Sequence, residues 1–248
     1  VCAYLSHHEN KEIKPKDIFT KKNSFNKNST QYLPVKIKVE NAIACPRYAG
    51  ITITNIEVKE SPQWLKDKLA AIKQRPVNNI VDITNFILHE TGQPLHAFDA
   101  GEIKGNTIVV KNAEQGSLFT TLDEKQRKLS PGDLMICNAE EPMCIAGIFG
   151  GIKSGVKETT KNIFLESACF DAESIRKTAL RLGLRTEAAI RFEKGIDISN
   201  VVNVLKHAAQ LIHEIAGGEI AGEVIDVYPE PKQKTEISLK YFYLKKIT

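Results

Sequence analysis

Two side chains in this chain combine a reactive group with a setting able to hold a substrate. His96 lies in Gly92-Gln-Pro-Leu-His-Ala-Phe-Asp99, and Glu166 lies in Asn162-Ile-Phe-Leu-Glu-Ser-Ala-Cys-Phe170. An imidazole can position or activate water near neutral pH. A carboxyl group closing an apolar run is exposed, paired or functional. No dedicated nucleophile accompanies them: there is no GxSxG elbow and no Cys-His motif. The paired glycines Gly150 and Gly151 end an apolar run and allow a ligand close to the backbone. They do not form a nucleotide fingerprint, because the GxGxxG spacing is absent, as is a Walker-type loop. The five cysteines are odd in number and without CxxC spacing, which argues for reduced, mostly buried thiols. The adjacent His7 and His8 cannot share a helix face and read as surface residues.

The elements that must position these groups can be read from periodicity. Pro76 keeps the chain extended just before Asn78, and the spacing predicts a helix over 79–89. Ile80, Ile83 and Ile87 form its buried stripe, which leaves Asp82, Asn85 and His89 on the opposite side. Gly92 should stop the helix, and Gln93-Pro94 should turn the chain into a tight loop bearing His96 and Asp99. A strand over 162–170 would carry Ile163 and Leu165 on one face, Phe164 and Glu166 on the other. Ser61 reads as a helix cap with Pro62 as the first helical residue, and Trp64 as a core aromatic. Asp171 and Gly183 bracket a third helix, and the stripe from Val201 to Ile215 marks a fourth. Segment 184–195 mixes small and charged residues and reads as a solvated face with salt bridges. Alternation or short β runs mark strands at 35–40, 48–58, 107–111 and 117–122, a wholly apolar run marks a buried strand at 134–137, and a last one lies near 220–227.

Composition bounds the rest. The 248 residues are 42% hydrophobic, ample for a core, and no apolar run approaches the roughly 20 residues that span a bilayer. Seven lysines against three acids in residues 1–36 account for the net charge of +4; the remainder holds 27 of each sign. Contact with nucleic acid would therefore use a local surface and not a strongly basic body. Residues 15–34 have linker composition. The chain does not begin with Met and carries no evident signal peptide, so it reads as a piece of a longer, cytoplasmic protein. Helices at 61–73, 79–89, 171–182 and 199–216 among short strands, without βαβα alternation, predict an α+β fold of mixed or antiparallel sheets with packed helices.

Six segments, in order, resemble the B3/B4 region of the bacterial phenylalanyl-tRNA synthetase β-subunit family. They are Ala44-Cys-Pro-Arg-Tyr48, Asn78 to Asn85, Gly92 to Asp99, Ala146-Gly-Ile-Phe-Gly-Gly151, Leu165-Glu-Ser-Ala168, and Gly183 to Ala188 running on through Arg191 to Asp197. The resemblance implies an editing domain over 35–230. It implies the end of a B1-like region and a linker over 1–34, and the start of a B5-like region over 231–248. Its members hydrolyse tyrosine wrongly esterified to the tRNA for phenylalanine. Carried over by position, His96 and Glu166 are the catalytic-site residues, while Thr84, Asn85, Gly150, Thr186 and Ala188 line the substrate pocket. Implied partners are the synthetase α subunit, in an α2β2 enzyme, the tRNA, and the tyrosine moiety. No cofactor is expected on this chain; ATP and magnesium are expected only for the complete synthetase. Two alternatives are a non-catalytic tRNA- or subunit-binding module and a free-standing deacylase.

Overall fold

The computed structural model describes residues 34–231. The expected B1-like and B5-like ends lie outside these residues, apart from their innermost positions, as do His7 and His8. In chain order the elements are β1 (Lys36–Val39), β2 (Arg47–Ile56), α1 (Gln63–Ala71), α2 (Asn79–Thr91), β3 (Leu95–Asp99), β4 (Thr107–Asn112), β5 (Leu118–Thr120), β6 (Gln126–Lys128), β7 (Leu134–Cys137), β8 (Pro142–Ile145), β9 (Phe149–Gly150), β10 (Ile163–Cys169), α3 (Ala172–Leu182), α4 (Glu187–Glu193), α5 (Val201–Ala216) and β11 (Gly217–Val227). The α+β expectation holds.

The strands form a four-stranded sheet, β11-β2-β10-β3, a five-stranded sheet, β1-β4-β7-β8-β9, and the separate hairpin β5-β6. The four-stranded sheet is antiparallel throughout; in the five-stranded sheet only β1 and β4 run parallel. Alternating side chains give the four-stranded sheet two apolar faces. Ile51, Ile53, Ile163 and Leu165 pack against α1, α2 and α5 through Leu65, Ile80, Ile83, Ile87, Leu205 and Ile212. Tyr48, Phe98 and Phe164 point the other way, into a second core with Ile108, Val110, Ile136 and Ile145 of the five-stranded sheet. The described residues thus form three layers, helices on sheet on sheet, and the inner strands β2 and β10 are covered on both faces over nearly their whole length, while the edge strand β11 stays partly exposed.

Local signals set the helix ends. Asn78 caps α2 by accepting from the backbone N–H groups of Ile80 and Val81, and Gly92 closes it in the left-handed region at φ 77°. Asp171 caps α3, and Gly183 ends it in the same conformation. Five expectations need correction. The Ser61 hydroxyl donates to Asp82 Oδ2 at 2.5 Å and does not cap α1, whose N-cap residue is Pro62. Asp82 is fully buried, not on a wet side, because the stretch 57–61 that leads into α1 lies across the start of α2. Its other oxygen accepts from Val77 N at 2.8 Å. Trp64 is 42% exposed, set edge-on to Phe86 at the margin of the helical layer. Residues 95–99 form a strand, not a loop, since β10 offers its free edge to them. A further helix, α4, occupies 187–193, where only a solvated face was read. Thr186 caps it, and Ala189 and Phe192 are its buried side.

Candidate active site

β3 and β10 run antiparallel with His96 directly opposite Glu166. The two-residue period turns Phe164 and Glu166 to the sheet-on-sheet side, as expected, and His96 and Phe98 point with them. The Gly-Gln-Pro-Leu-His segment explains itself here. Gly92 turns the chain, and the buried Gln93 amide donates to the carbonyls of Pro94 and Ala168, at 3.0 and 2.9 Å. That bond fastens the start of β3 to β10 and fixes the register. Asp99, by contrast, is structural: it accepts from Thr160 Oγ1 and Gly101 N.

Around this pair the walls come from both sheets. The Tyr48 hydroxyl, buried on β2, donates to Glu166 Oε2 at 3.2 Å. Gly50 stands opposite Glu166 on β2, and the Phe164 ring covers it. Gly150 of β9 faces the imidazole from the other sheet. A Cβ placed there would lie 3.2 Å from His96 Cε1 and 3.0 Å from Leu122 Cδ1. His96 packs edge-on against Phe98, ring centroids 4.4 Å apart. The His96 residue keeps some exposure, but its Nε2 is buried and has no hydrogen-bond partner among the described residues. Leaving such a group unpaired costs about 1–3 kcal/mol, and functional sites are where such costs are commonly found.

Burial also sets the charges. It pushes the His96 imidazole down to about 4. It pushes the Glu166 carboxyl up to about 8, against the lowering effect of the Tyr48 hydrogen bond. At neutral pH the pair is therefore an uncharged imidazole and a largely protonated carboxyl, each able to accept a hydrogen bond. Burial, with the Glu166 charge adding to it, holds the Cys45 and Cys144 thiols well above their usual range, which makes them poor nucleophiles. Among the described residues, no group of three or more His, Cys, Asp or Glu is placed to hold a metal ion. None of their helices is long and apolar enough to cross a membrane.

A family model, the B3/4 domain, matches residues 44–217. The chain belongs to the B3/4 domain family. It is similar to the phenylalanine–tRNA ligase β subunit of Bacteroides thetaiotaomicron, 54% identical over 84% of this chain and 26% of the relative. That of Porphyromonas gingivalis is 52% identical over 84% and 25%, and that of Geobacter sulfurreducens 49% over 78% and 24%. The chain thus spans about a quarter of the length of these relatives. An N-terminal fragment of the phenylalanyl-tRNA synthetase β subunit from Pyrococcus horikoshii shares the fold. Its TM-score is 0.51 at 14% identity, over 86% of this chain and 59% of that one.

Within the B3/4 domain the expected site residues fall into three groups. His96, Glu166 and Gly150 meet. Thr186 is one link away: its hydroxyl donates to the carbonyl of Ile148 at 2.9 Å and accepts from Ala189 N, tying α4 to the turn before Gly150. Ala188 follows in the first turn of α4, half-buried against the same core. Thr84 and Asn85 are not brought to the pair. They stand on α2, whose apolar stripe packs on the opposite face of the sheet, and the Thr84 hydroxyl donates to the carbonyl of Val81. Tyr48, Gly50, Gln93 and Leu122 belong to the surroundings of the pair and were not among the residues expected there. Tyr48 and Gln93 had a usable signal, since both lie in segments that carry the family resemblance.

The two shifted groups give opposite pH dependences of stability. Glu166 ionises near the ordinary 4.5 when unfolded and near 8 when folded. Its contribution is fully present below 4.5 and is lost as pH rises toward 8. His96 is depressed from 6.5 to about 4, so its contribution is present above 6.5 and lost as pH falls toward 4. Above pH 6.5 the His96 contribution is constant and only that of Glu166 changes with pH. Between pH 6.5 and 8 the unmodified domain is therefore expected to lose stability with a slope of up to roughly 1 kcal/mol per pH unit relative to Glu166→Gln. Parallel urea titrations of the two proteins check this; superimposable slopes would show Glu166 ionised in the fold.

Proposed function

We propose that this chain is the proofreading part of a phenylalanine–tRNA ligase β subunit and hydrolyses tyrosine wrongly esterified to the tRNA for phenylalanine. One observation supports the reading above the others. A buried, unpartnered imidazole nitrogen sits across a strand pair from a carboxyl kept protonated by burial. Tyrosine differs from phenylalanine by one hydroxyl, and an apolar pocket cannot strongly reject an analogue that only adds one. A second site can select in the opposite sense, by hydrogen-bonding that hydroxyl. In this reading the Glu166 carboxyl, oriented by Tyr48, is the group that receives the phenol. Phenylalanine in the same place would leave it unpaired.

Hydrolysis then needs a water held against the ester carbonyl. His96 Nε2, which has no hydrogen-bond partner among the described residues, is available to hold it, with the ribose hydroxyl beside the ester as a second partner. An imidazole near 4 is a weak base, so its role is to orient the water more than to keep its proton. The oxygen of the water bonds to the ester carbonyl carbon, and the bond from that carbon to the ribose oxygen breaks. The ribose oxygen takes up the proton given up by the water and is restored as a hydroxyl, and tyrosine leaves as the free acid. The nearby Ser167 cannot take the place of water, because its side chain lies on the helical face of the sheet. On this reading the α subunit, in an α2β2 enzyme, supplies aminoacylation with its ATP and magnesium, and the site here uses the chain's own groups and water.

The test is deacylation of tyrosyl-tRNA specific for phenylalanine, with phenylalanyl-tRNA as control, by this chain and its His96→Ala variant. Selective hydrolysis of the tyrosyl ester, reduced about 10- to 100-fold in the variant, is the expected result. Absence of tyrosyl-selective hydrolysis both in the chain and in the ligase assembled with it would overturn the reading.

A further inference from the structure

We propose that Leu122 is the movable cover of the His96 chamber, the side chain that an incoming aminoacyl group must displace to reach the imidazole; the inference rests on the hydrolytic reading above. A half-exposed leucine is ordinary by itself. What lies beneath this one is not. Leu122 is 47% exposed, yet its Cδ1 and His96 Cε1 both lie within 3.2 Å of the point where Gly150 would carry a Cβ. Its Cδ2 comes 3.5 Å from the same point on Gly155. Two glycines without side chains leave room there, and the leucine side chain occupies it on the same side of Gly150 as the imidazole, whose Nε2 lies 3.6 Å from the Gly150 Cβ point and has no hydrogen-bond partner among the described residues.

The backbone beneath the leucine is fixed, so the motion required is a rotamer change and not a loop opening. Leu122 N donates to Gly150 O at 3.0 Å, and Thr121 bridges to Gly151. The Thr121 hydroxyl donates to Asp123 Oδ1 at 2.5 Å, while Arg127 holds Asp123 at 2.7 Å and Thr121 Oγ1 at 3.0 Å. These bonds stiffen the turn between β5 and β6. Side-chain rotamer exchange at an exposed position is fast and needs no such bond to break. An isobutyl group also suits the task chemically, since the ring of an aminoacyl ester can replace it against His96 without leaving an apolar wall open to water.

The experiment follows the His96 ring by NMR titration in the full chain, in Leu122→Ala and in Leu122→Phe, with exposed His213 as internal reference. The expected result in Leu122→Ala is a midpoint that moves from about 4 toward the ordinary 6.5 as water reaches Nε2, with His213 unmoved. Leu122→Phe, which keeps that room filled, should leave the midpoint near 4. A His96 midpoint unchanged in Leu122→Ala overturns the cover. In tyrosyl-tRNA hydrolysis, Leu122→Ala should lower KM about threefold or more with kcat within about twofold, because the displacement step is removed. The two failures separate. A shifted midpoint with no hydrolysis in any form of the protein leaves the cover standing and removes the proposed function. An unshifted midpoint removes the cover whatever the hydrolysis shows.

Discussion

Glu166→Ala is expected to reduce hydrolysis of the tyrosyl ester by roughly 5- to 150-fold, the rate equivalent of about 1–3 kcal/mol for one lost hydrogen bond in a buried site. The phenylalanyl ester should be hydrolysed no more slowly than before, because it has no hydroxyl to lose. Discrimination between the two esters should therefore collapse, and that ratio is the measurement. Glu166→Gln separates recognition from charge. The wild-type carboxyl is protonated over most of the neutral range, so an amide keeps both an acceptor and a donor in the same place. It should retain activity within about tenfold of wild type. The pH profile adds a second discriminator. Ionisation of Glu166 near 8 should bend the tyrosyl rate of the wild type and leave that of Glu166→Gln straight. Glu166→Ala also strands the Tyr48 hydroxyl, so a control melt accompanies the assay. Tyrosyl hydrolysis unaffected by Glu166→Ala would remove this residue from recognition.

Gly50→Ala should produce the largest loss of stability of any single methyl added near the site. The new Cβ would lie 2.0 Å from Phe164 Cζ and 2.5 Å from Cε1, far inside van der Waals contact. Neither side can yield easily. Gly50 is held on β2 between β10 and β11, and the Phe164 ring is fully buried in the core that also holds Tyr48 and Phe98. Overpacking of this kind costs about 1–3 kcal/mol and sometimes more, because interiors are close-packed and strain spreads. The upper end of that range is expected here, read as a lower urea midpoint. Phe164→Leu alone should also destabilise, by leaving a cavity. The double variant should be more stable than the sum of the two predicts, since the smaller side chain vacates the space that the methyl needs. Strict additivity would show that the clash is relieved elsewhere.

Much of the fold was legible because its causes are local. Whether Asp171 caps a helix, or Gly92 or Gly183 ends one, depends on atoms within one turn. Glu166 and Phe164 share a face because a strand alternates every second residue, whatever surrounds it. The seven-residue α4 escaped because so short a segment shows barely two turns of periodicity, and its buried side is only Ala189 and Phe192. The charge pattern around it resembled a wet surface for the same reason.

By itself, the sequence determined the ends of α2 and α3, the parity of β10 and the family, the last because six motifs stand in one order. Only the tertiary structure decided who meets whom. His96 and Glu166 are 70 positions apart, and a one-residue slip of β3 against β10 would turn the imidazole into the helical layer. Tyr48 reaches Glu166 across 118 positions. Asp82 is buried and Trp64 exposed because of where α1 crosses the helical layer, not because of anything in their own helices. Leu122 covers Gly150 because a hairpin from outside both sheets folds back over β9. Local backbone rules act over a few residues. Register and layer stacking are set by the packing of side chains far apart in the chain, and those two assemble the site.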